Sequence, residues 1–194
     1  MAGQTRYTAV LDACVLYPVT IANILMELAW QGIYAAKWTK EIDREWVDAL
    51  MRDRTDLCDE KIRYRLDNMH RAIPDWEIPI SKYKKLIPII HLPDKNDRHV
   101  LAAAIAGHAD CIVTKNTKDF PMSAVEEYGI EILHPDDFVL LQITLDSIQS
   151  LTVIKHLRAR TKSPKLSADE FIESLETVEL VRTADYLRQA LKLI

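Results

Sequence analysis

At 194 residues, 48% of them apolar and 28% charged, the chain is long enough to bury one sizeable core and has the make-up of an ordinary folded protein. Its 4 glycines and 8 prolines exclude low-complexity and linker-dominated architectures, and a net charge of −4 does not advertise a nucleic-acid binder, although a sum conceals local patches. The three cysteines, Cys14, Cys58 and Cys111, are widely spaced without zinc-ligand spacing and read as reduced thiols. With no signal-like or long apolar run, the expectation is a cytoplasmic protein without membrane contact.

In chain order, Tyr7 to Leu11 is a short apolar run closed by Asp12, which reads as a buried first strand with an acid at its end. An Asp here is also what a turn or a helix cap uses. Ile21 to Trp30 has helical spacing and stops at Gly32. Tyr34 to Trp38 predicts a second strand, and Thr39 the N-cap of a helix that puts Ile42 and Trp46 on one face. Glu41 and Glu45 border that face; Glu45 lies deeper in the helix and is the better inward carboxylate. Arg52 to Arg71 reads as one charged helical stretch, either a solvated face or a groove wall that meets phosphates. Ile73-Pro74 ends it, and Ser81 to Ile90 predicts a short helix.

The segment Leu92 to Pro121, LPDKNDRHVLAAAIAGHADCIVTKNTKDFP, is the most informative stretch. Asp94 and Asp97 both stand where a helix cap is expected, and Val100, Leu101, Ala104 and Ile105 repeat at helical spacing up to Gly107. Cys111 to Thr114 is a buried-type strand, followed at once by Asn116, Lys118 and Asp119. A short helix (Ser123 to Tyr128) and a last strand (Ile130 to Leu133) complete an alternating β/α pattern, which predicts a parallel sheet with helices on both faces. The first and fourth strands are expected to be neighbours. From His134-Pro135 onward the pattern is helical only, over Phe138–Leu151 and Phe171–Leu193. The chain therefore divides into an α/β unit at 1–134 and a helical C-terminal extension at 135–194. Between the two helical stretches lies a basic cluster, Lys155, Arg158, Arg160, Lys162 and Lys165, followed by an acidic run.

Asp12, Glu45, Asp97 and Asp119 are thus acids from four separate elements that a parallel sheet brings towards one edge, beyond the carboxyl ends of its strands. Carboxylates gathered this way suit a hard divalent cation, Mg²⁺ or Mn²⁺, which activates water and neutralises phosphoryl charge. Without a cation they would repel one another and raise their own pKa values.

VLDACVLYP at the start, Thr39 to Glu45, LPDKNDRHVLAAAI and IVTKNTKDFP together resemble the PIN-domain ribonucleases, and among them the VapC-like toxins of bacterial toxin–antitoxin pairs. The resemblance covers about residues 6 to 134. The segment from His134-Pro135-Asp136-Asp137-Phe138 resembles a helical extension of one VapC-like branch. It implies a three-layer α/β/α fold, RNA as substrate, cleavage to a 5′-phosphate and a 3′-hydroxyl, an antitoxin protein as partner and a homodimer. Asp12, Glu45 and Asp97 match the family's metal-binding acids. The fourth position is open: Asn116 stands where many relatives have Asp, while Asp119 matches a Lys-Asp-Phe pattern. Asp94 matches the first acid of the family's Asp-x-x-Asp run. Thr114 is placed on the substrate side, orienting a carboxylate or water. Lys155, Arg158 and Arg160 are the candidate RNA contacts, with antitoxin contact or plain solvation as alternatives. Cys14 replaces a small hydroxyl residue of relatives, which would remove a donor near Asp12.

A haloacid-dehalogenase-like phosphatase would need a second acid where Cys14 stands, and a receiver-like domain would need an acidic pair at the first strand. The remaining alternative is a PIN-like module that binds RNA or protein without catalysis.

Overall fold

The computed structural model describes residues 6–161 and 165–194. Strand β1 (Thr8–Leu11) leads through a single helical turn, α1 (Ala13–Leu16), into α2 (Val19–Trp30) and β2 (Ala35–Lys37). Helices α3 (Lys40–Asp53), α4 (Asp59–Ala72) and the short α5 (Ile80–Tyr83) follow, then α6 (Arg98–Ala106) and β3 (Cys111–Val113). A 3₁₀ turn at Thr117–Asp119, α7 (Met122–Val125) and β4 (Glu131–Leu133) close the α/β part. Four helices end the chain: α8 (Pro135–Leu145), α9 (Ser147–Arg160), α10 (Ala168–Glu176) and α11 (Val181–Gln189).

All strand pairings are parallel, in the order β2-β1-β3-β4, and helices flank the sheet. The first strand therefore neighbours the second and third, and not the fourth, which pairs only with β3. From β1 the chain crosses to β2 on one side and then returns to β3 on the other. That reversal opens a crevice at the carboxyl ends of β1 and β3, the place where sheets of this kind bind ligands. Register makes it exact in position: Leu11 pairs with Val113, and the Asp12 amide donates to the Val113 carbonyl at 3.1 Å. Asp12 and Thr114 consequently leave the sheet side by side. Ala9 to Leu11 and Cys111 to Val113 are buried throughout, as continuous apolar runs in a two-faced sheet require.

Helix α6 packs on both inner strands and ends at Gly107. A Cβ on Gly107 would lie 2.6 Å from Ile78 Cδ1, so this helix end is seated at van der Waals range on the loop before α5.

Three expected helical stretches are each broken in two. The charged stretch from Arg52 to Arg71 is interrupted at residues 54–58, where Arg54 forms a two-pronged ion pair with Asp56. Phe138–Leu151 is divided at Asp146, whose side chain caps α9 by accepting from the Gln149 amide. The last stretch, Phe171–Leu193, is likewise α10 and α11 joined by a tight turn.

The C-terminal helices share the core of the α/β part. Helices α8 and α9 lie on α2, and Phe138 meets Tyr34 edge-on at 4.8 Å. Asp136 is buried and accepts from the backbone amides of Arg182 and Thr183 at 2.8 Å each, so a side chain of α8 caps the start of α11. No helix among the described residues is long and apolar enough to cross a membrane.

Candidate active site

Asp12 is the most constrained acid of the site. Because α1 begins directly after it, one carboxylate oxygen caps that turn by accepting from the Ala13 amide at 2.6 Å. The other oxygen accepts from the Thr114 hydroxyl at 2.7 Å and the Cys14 thiol at 3.1 Å. Burial and the Asp12 charge push the Cys14 thiol up to about 12, so it stays protonated and able to donate. The donor expected to be lost at position 14 is therefore supplied by sulfur. Thr114 is fully buried, with its hydroxyl behind Asp12. Its observed place is that of a residue that orients a carboxylate, away from any substrate-facing surface.

Asp97 occupies the N-cap position of α6, yet its side chain makes no capping bond. Asp94 does not cap the helix either: it accepts from the Asn96 amide at 2.8 Å and stabilises the preceding turn. The Asp97 carboxyl is thus uncommitted, and it is pushed up to about 6 by burial first, then by the charges of Asp12, Asp94 and Asp119. Asp12, Asp94 and Asp119 thus lie at a range where Asp97 feels their charges, while Glu45 is not among the groups that shift it. Asp119 ends the 3₁₀ turn after β3 and is half-buried, whereas the Asn116 side chain is exposed. Of the two candidates for the fourth position, only Asp119 carries a charge, and that charge acts on Asp97.

Glu45 is turned to the same region by a residue that sequence reasoning missed. His99, one helical step beyond Asp97, is buried and brings Nε2 to 2.9 Å from Glu45 Oε1. Its Nδ1 is buried without a hydrogen-bond partner and lies 3.8 Å from Glu41 Oε2. Burial disfavours charge on His99, but the Glu45 hydrogen bond and the charges of Glu45, Glu41 and Asp12 outweigh it and hold the imidazole above its usual value. One signal for it was present: a lone His directly before the apolar run VLAAAI, two residues from a candidate ligand. Behind α3, Asp43 forms a separate buried node, accepting from the indoles of Trp38 and Trp46 at 2.9 and 3.1 Å and lying 2.8 Å from His70. That node fixes the helix that carries Glu45.

No three His, Cys, Asp or Glu side chains among the described residues come close enough together to hold a metal ion. The acids stand around one another at the range of charge interaction, wider than the range of shared ligation. Their chemistry nevertheless fits a hard cation: all donors are oxygens, and the Asp97 carboxyl, raised by burial first and by the neighbouring acids second, is one whose charge a cation would stabilise.

Two of the three expected RNA contacts in the basic cluster, Arg158 and Arg160, are otherwise engaged. Arg158 donates to the Leu166 and Ile194 carbonyls at 3.0 and 3.3 Å, tying α9 to the chain end. Arg160 pairs with buried Glu27 of α2 and lies over the Trp30 ring. Both guanidinium groups hold the helices together, because their long stems reach internal acceptors. Lys155 and Lys165 are exposed, and Lys162 lies outside the described residues.

A family model described as PIN domain matches residues 8–118, more than half of the chain. The chain belongs to the PIN domain family. A second model, described as VapC50 C-terminal domain, matches residues 135–189 of this PIN-domain protein. A protein of Mycobacterium tuberculosis (strain ATCC 25618 / H37Rv) named "Putative ribonuclease VapC50" is 40% identical over 79 residues, 41% of this chain and 47% of the relative. The matched segment thus spans about half the length of that curated relative. No solved structure matches the chain.

Proposed function

We propose that this PIN-domain protein is a metal-dependent endoribonuclease, the toxin of a toxin–antitoxin pair whose partner is a cognate antitoxin protein. In this reading residues 1–134 are the nuclease unit, residues 135–194 a helical extension, and the protein works in the cytoplasm as a homodimer. The observation that carries the reading is geometric: Asp12, fixed by Thr114, Cys14 and the Ala13 amide, stands at the crevice between the two inner strands, and Asp97 opens α6 with its carboxyl uncommitted. The name of the mycobacterial relative agrees with it.

Mg²⁺ or Mn²⁺ would be held by Asp12 and Asp97, with Glu45 and Asp119 or Asn116 completing the set. Such an ion supplies Lewis acidity, easing deprotonation of water and neutralising charge on a phosphodiester. The remaining work belongs to the chain. Thr114, Cys14 and the Ala13 amide fix Asp12 in one orientation. His99 engages Glu45 Oε1, which leaves Oε2 to orient the attacking water and accept its proton. Attack in line with the departing 3′-oxygen leaves a 5′-phosphate and a 3′-hydroxyl.

A second reading, a PIN-like module that binds RNA or protein without cutting, is favoured by the wide spacing of the acids. Cleavage of a broad RNA pool, with Mg²⁺ or Mn²⁺ and with chelator, separates the two. The nuclease reading expects cleavage only with metal, lost in Asp12→Asn with the fold intact by circular dichroism. Equal cleavage with chelator would refute the metal mechanism, and no cleavage under any metal would favour the binding module.

A further inference from the structure

Beside the acid cluster runs an open groove of about 450 Å³, within the roughly 300–1,000 Å³ usual for ligand sites. Ala13, Tyr17, Pro18 and Ala49 give it an apolar lining, and two carboxylates, Glu45 and Asp53, share its wall with Lys115. Lys115 is the only cation among its lining residues. It directly follows Thr114, and its amide donates to Cys14 Sγ at 3.2 Å, so its backbone is fixed to the residues that hold Asp12. Its ammonium is not turned to the acids of the site. It pairs with Glu179, from the turn between α10 and α11.

That turn is built to hold a carboxylate in place. Glu179 has φ +69°, a left-handed conformation in which glycine is the relaxed choice. Its neighbour Leu180 is fully buried and donates to the Leu175 carbonyl at 2.9 Å, which anchors the turn. The Glu179 side chain itself is 68% exposed and that of Lys115 28%, so their bond is open to solvent and readily exchanged for another anion.

We propose that the groove seats an unpaired nucleotide adjoining the scissile phosphate, that Lys115 is its phosphate contact, and that Glu179 of the C-terminal helices occupies Lys115 until RNA displaces it. The inference rests on the nuclease reading and adds a substrate-holding residue and its internal competitor. An RNA strand approaching a cluster of acids on a protein of net charge −4 needs a local cation, and the groove has one. An apolar lining suits the face of an unpaired base.

The test is steady-state cleavage of a short single-stranded oligoribonucleotide by the full chain in Mg²⁺ at low salt. Glu179→Gln is expected to lower KM about three- to tenfold with kcat unchanged, and Lys115→Ala to raise it by a similar factor. The salt dependence of kcat/KM should flatten in Lys115→Ala by about 0.7 in the log–log slope, the share of one single-strand phosphate. In the Lys115→Ala background, Glu179→Gln should do nothing, and Glu173→Gln, an exposed acid nearby, serves as the charge-matched control. Thermal melts establish that each variant is folded. The inference is overturned if Glu179→Gln leaves KM unchanged, or if it lowers KM equally without Lys115 or no more than Glu173→Gln does. If the unaltered protein shows no metal-dependent cleavage at all, the nuclease reading fails first and this inference falls with it.

Discussion

Replacing Thr114 by Val removes the hydroxyl that donates to Asp12 at 2.7 Å while keeping the shape of the side chain. A buried carboxylate that loses such a donor costs about 1.5–3 kcal/mol, so a lower urea midpoint and at least a ~10-fold fall in cleavage are expected. Cys14→Ser keeps a donor at the same point and should leave cleavage within about threefold. Asp97 gives a prediction with a definite sign. An acid raised to about 6 binds its proton more tightly in the folded state, so its contribution is favourable in acid and is lost as pH rises from near 4 through 6. In chelator, the protein should therefore be less stable at pH 7.5 than at pH 5 by this group's share. Allowing for solvent screening that share is about 0.5–1 kcal/mol, and Asp97→Asn should abolish it in urea titrations at the two pH values. If the fourth acid is Asp119, Asp119→Asn will depress cleavage more than Asn116→Ala. Asp12, Asp97 and Asp119 were legible in sequence because each sits at the boundary of an element. The roles of His99 and Lys115 were not, since their partners Glu45 and Glu179 come from distant parts of the chain and meet them only in the fold.

At the scale of elements, apolar runs and the glycine after α6 made the strands and the central helix readable from the chain. The breaks at residues 54–58 and at Asp146 were not, because neither carries Pro or Gly and apolar spacing continues across both. A capping bond from Asp146 to the Gln149 amide decides the second against periodicity. The basic cluster misled for a related reason: charge in sequence says nothing of which acceptors a long side chain can reach. The most exposed weakness between elements is Asp136, which alone supplies two acceptors to the start of α11. Asp136→Ala leaves the Thr183 amide buried without a partner, at about 1–3 kcal/mol, and the part-buried Arg182 amide to water. Limited proteolysis should then cut within α10 and α11 well before the sheet is touched.

Across the whole molecule, the core passes without a break from the sheet through α2 into α8 and α9. A chain ended after 134 would bare the α2 surface and leave Glu27, buried and paired with Arg160, without its cation. It should be poorly soluble, and sedimentation of the shortened protein checks this. The strand order carries a consequence of another kind. Asp12 and Thr114 follow the two inner strands, while β2 and β4 form the edges. Fraying begins at edges, so either outer strand can open transiently while the acids stay together. Amides of β1 and β3 should be the slowest to exchange with deuterium. A cell that needs to silence this protein by degradation would then find the site among the last parts to come apart, and its working lifetime would be set by global unfolding of the sheet.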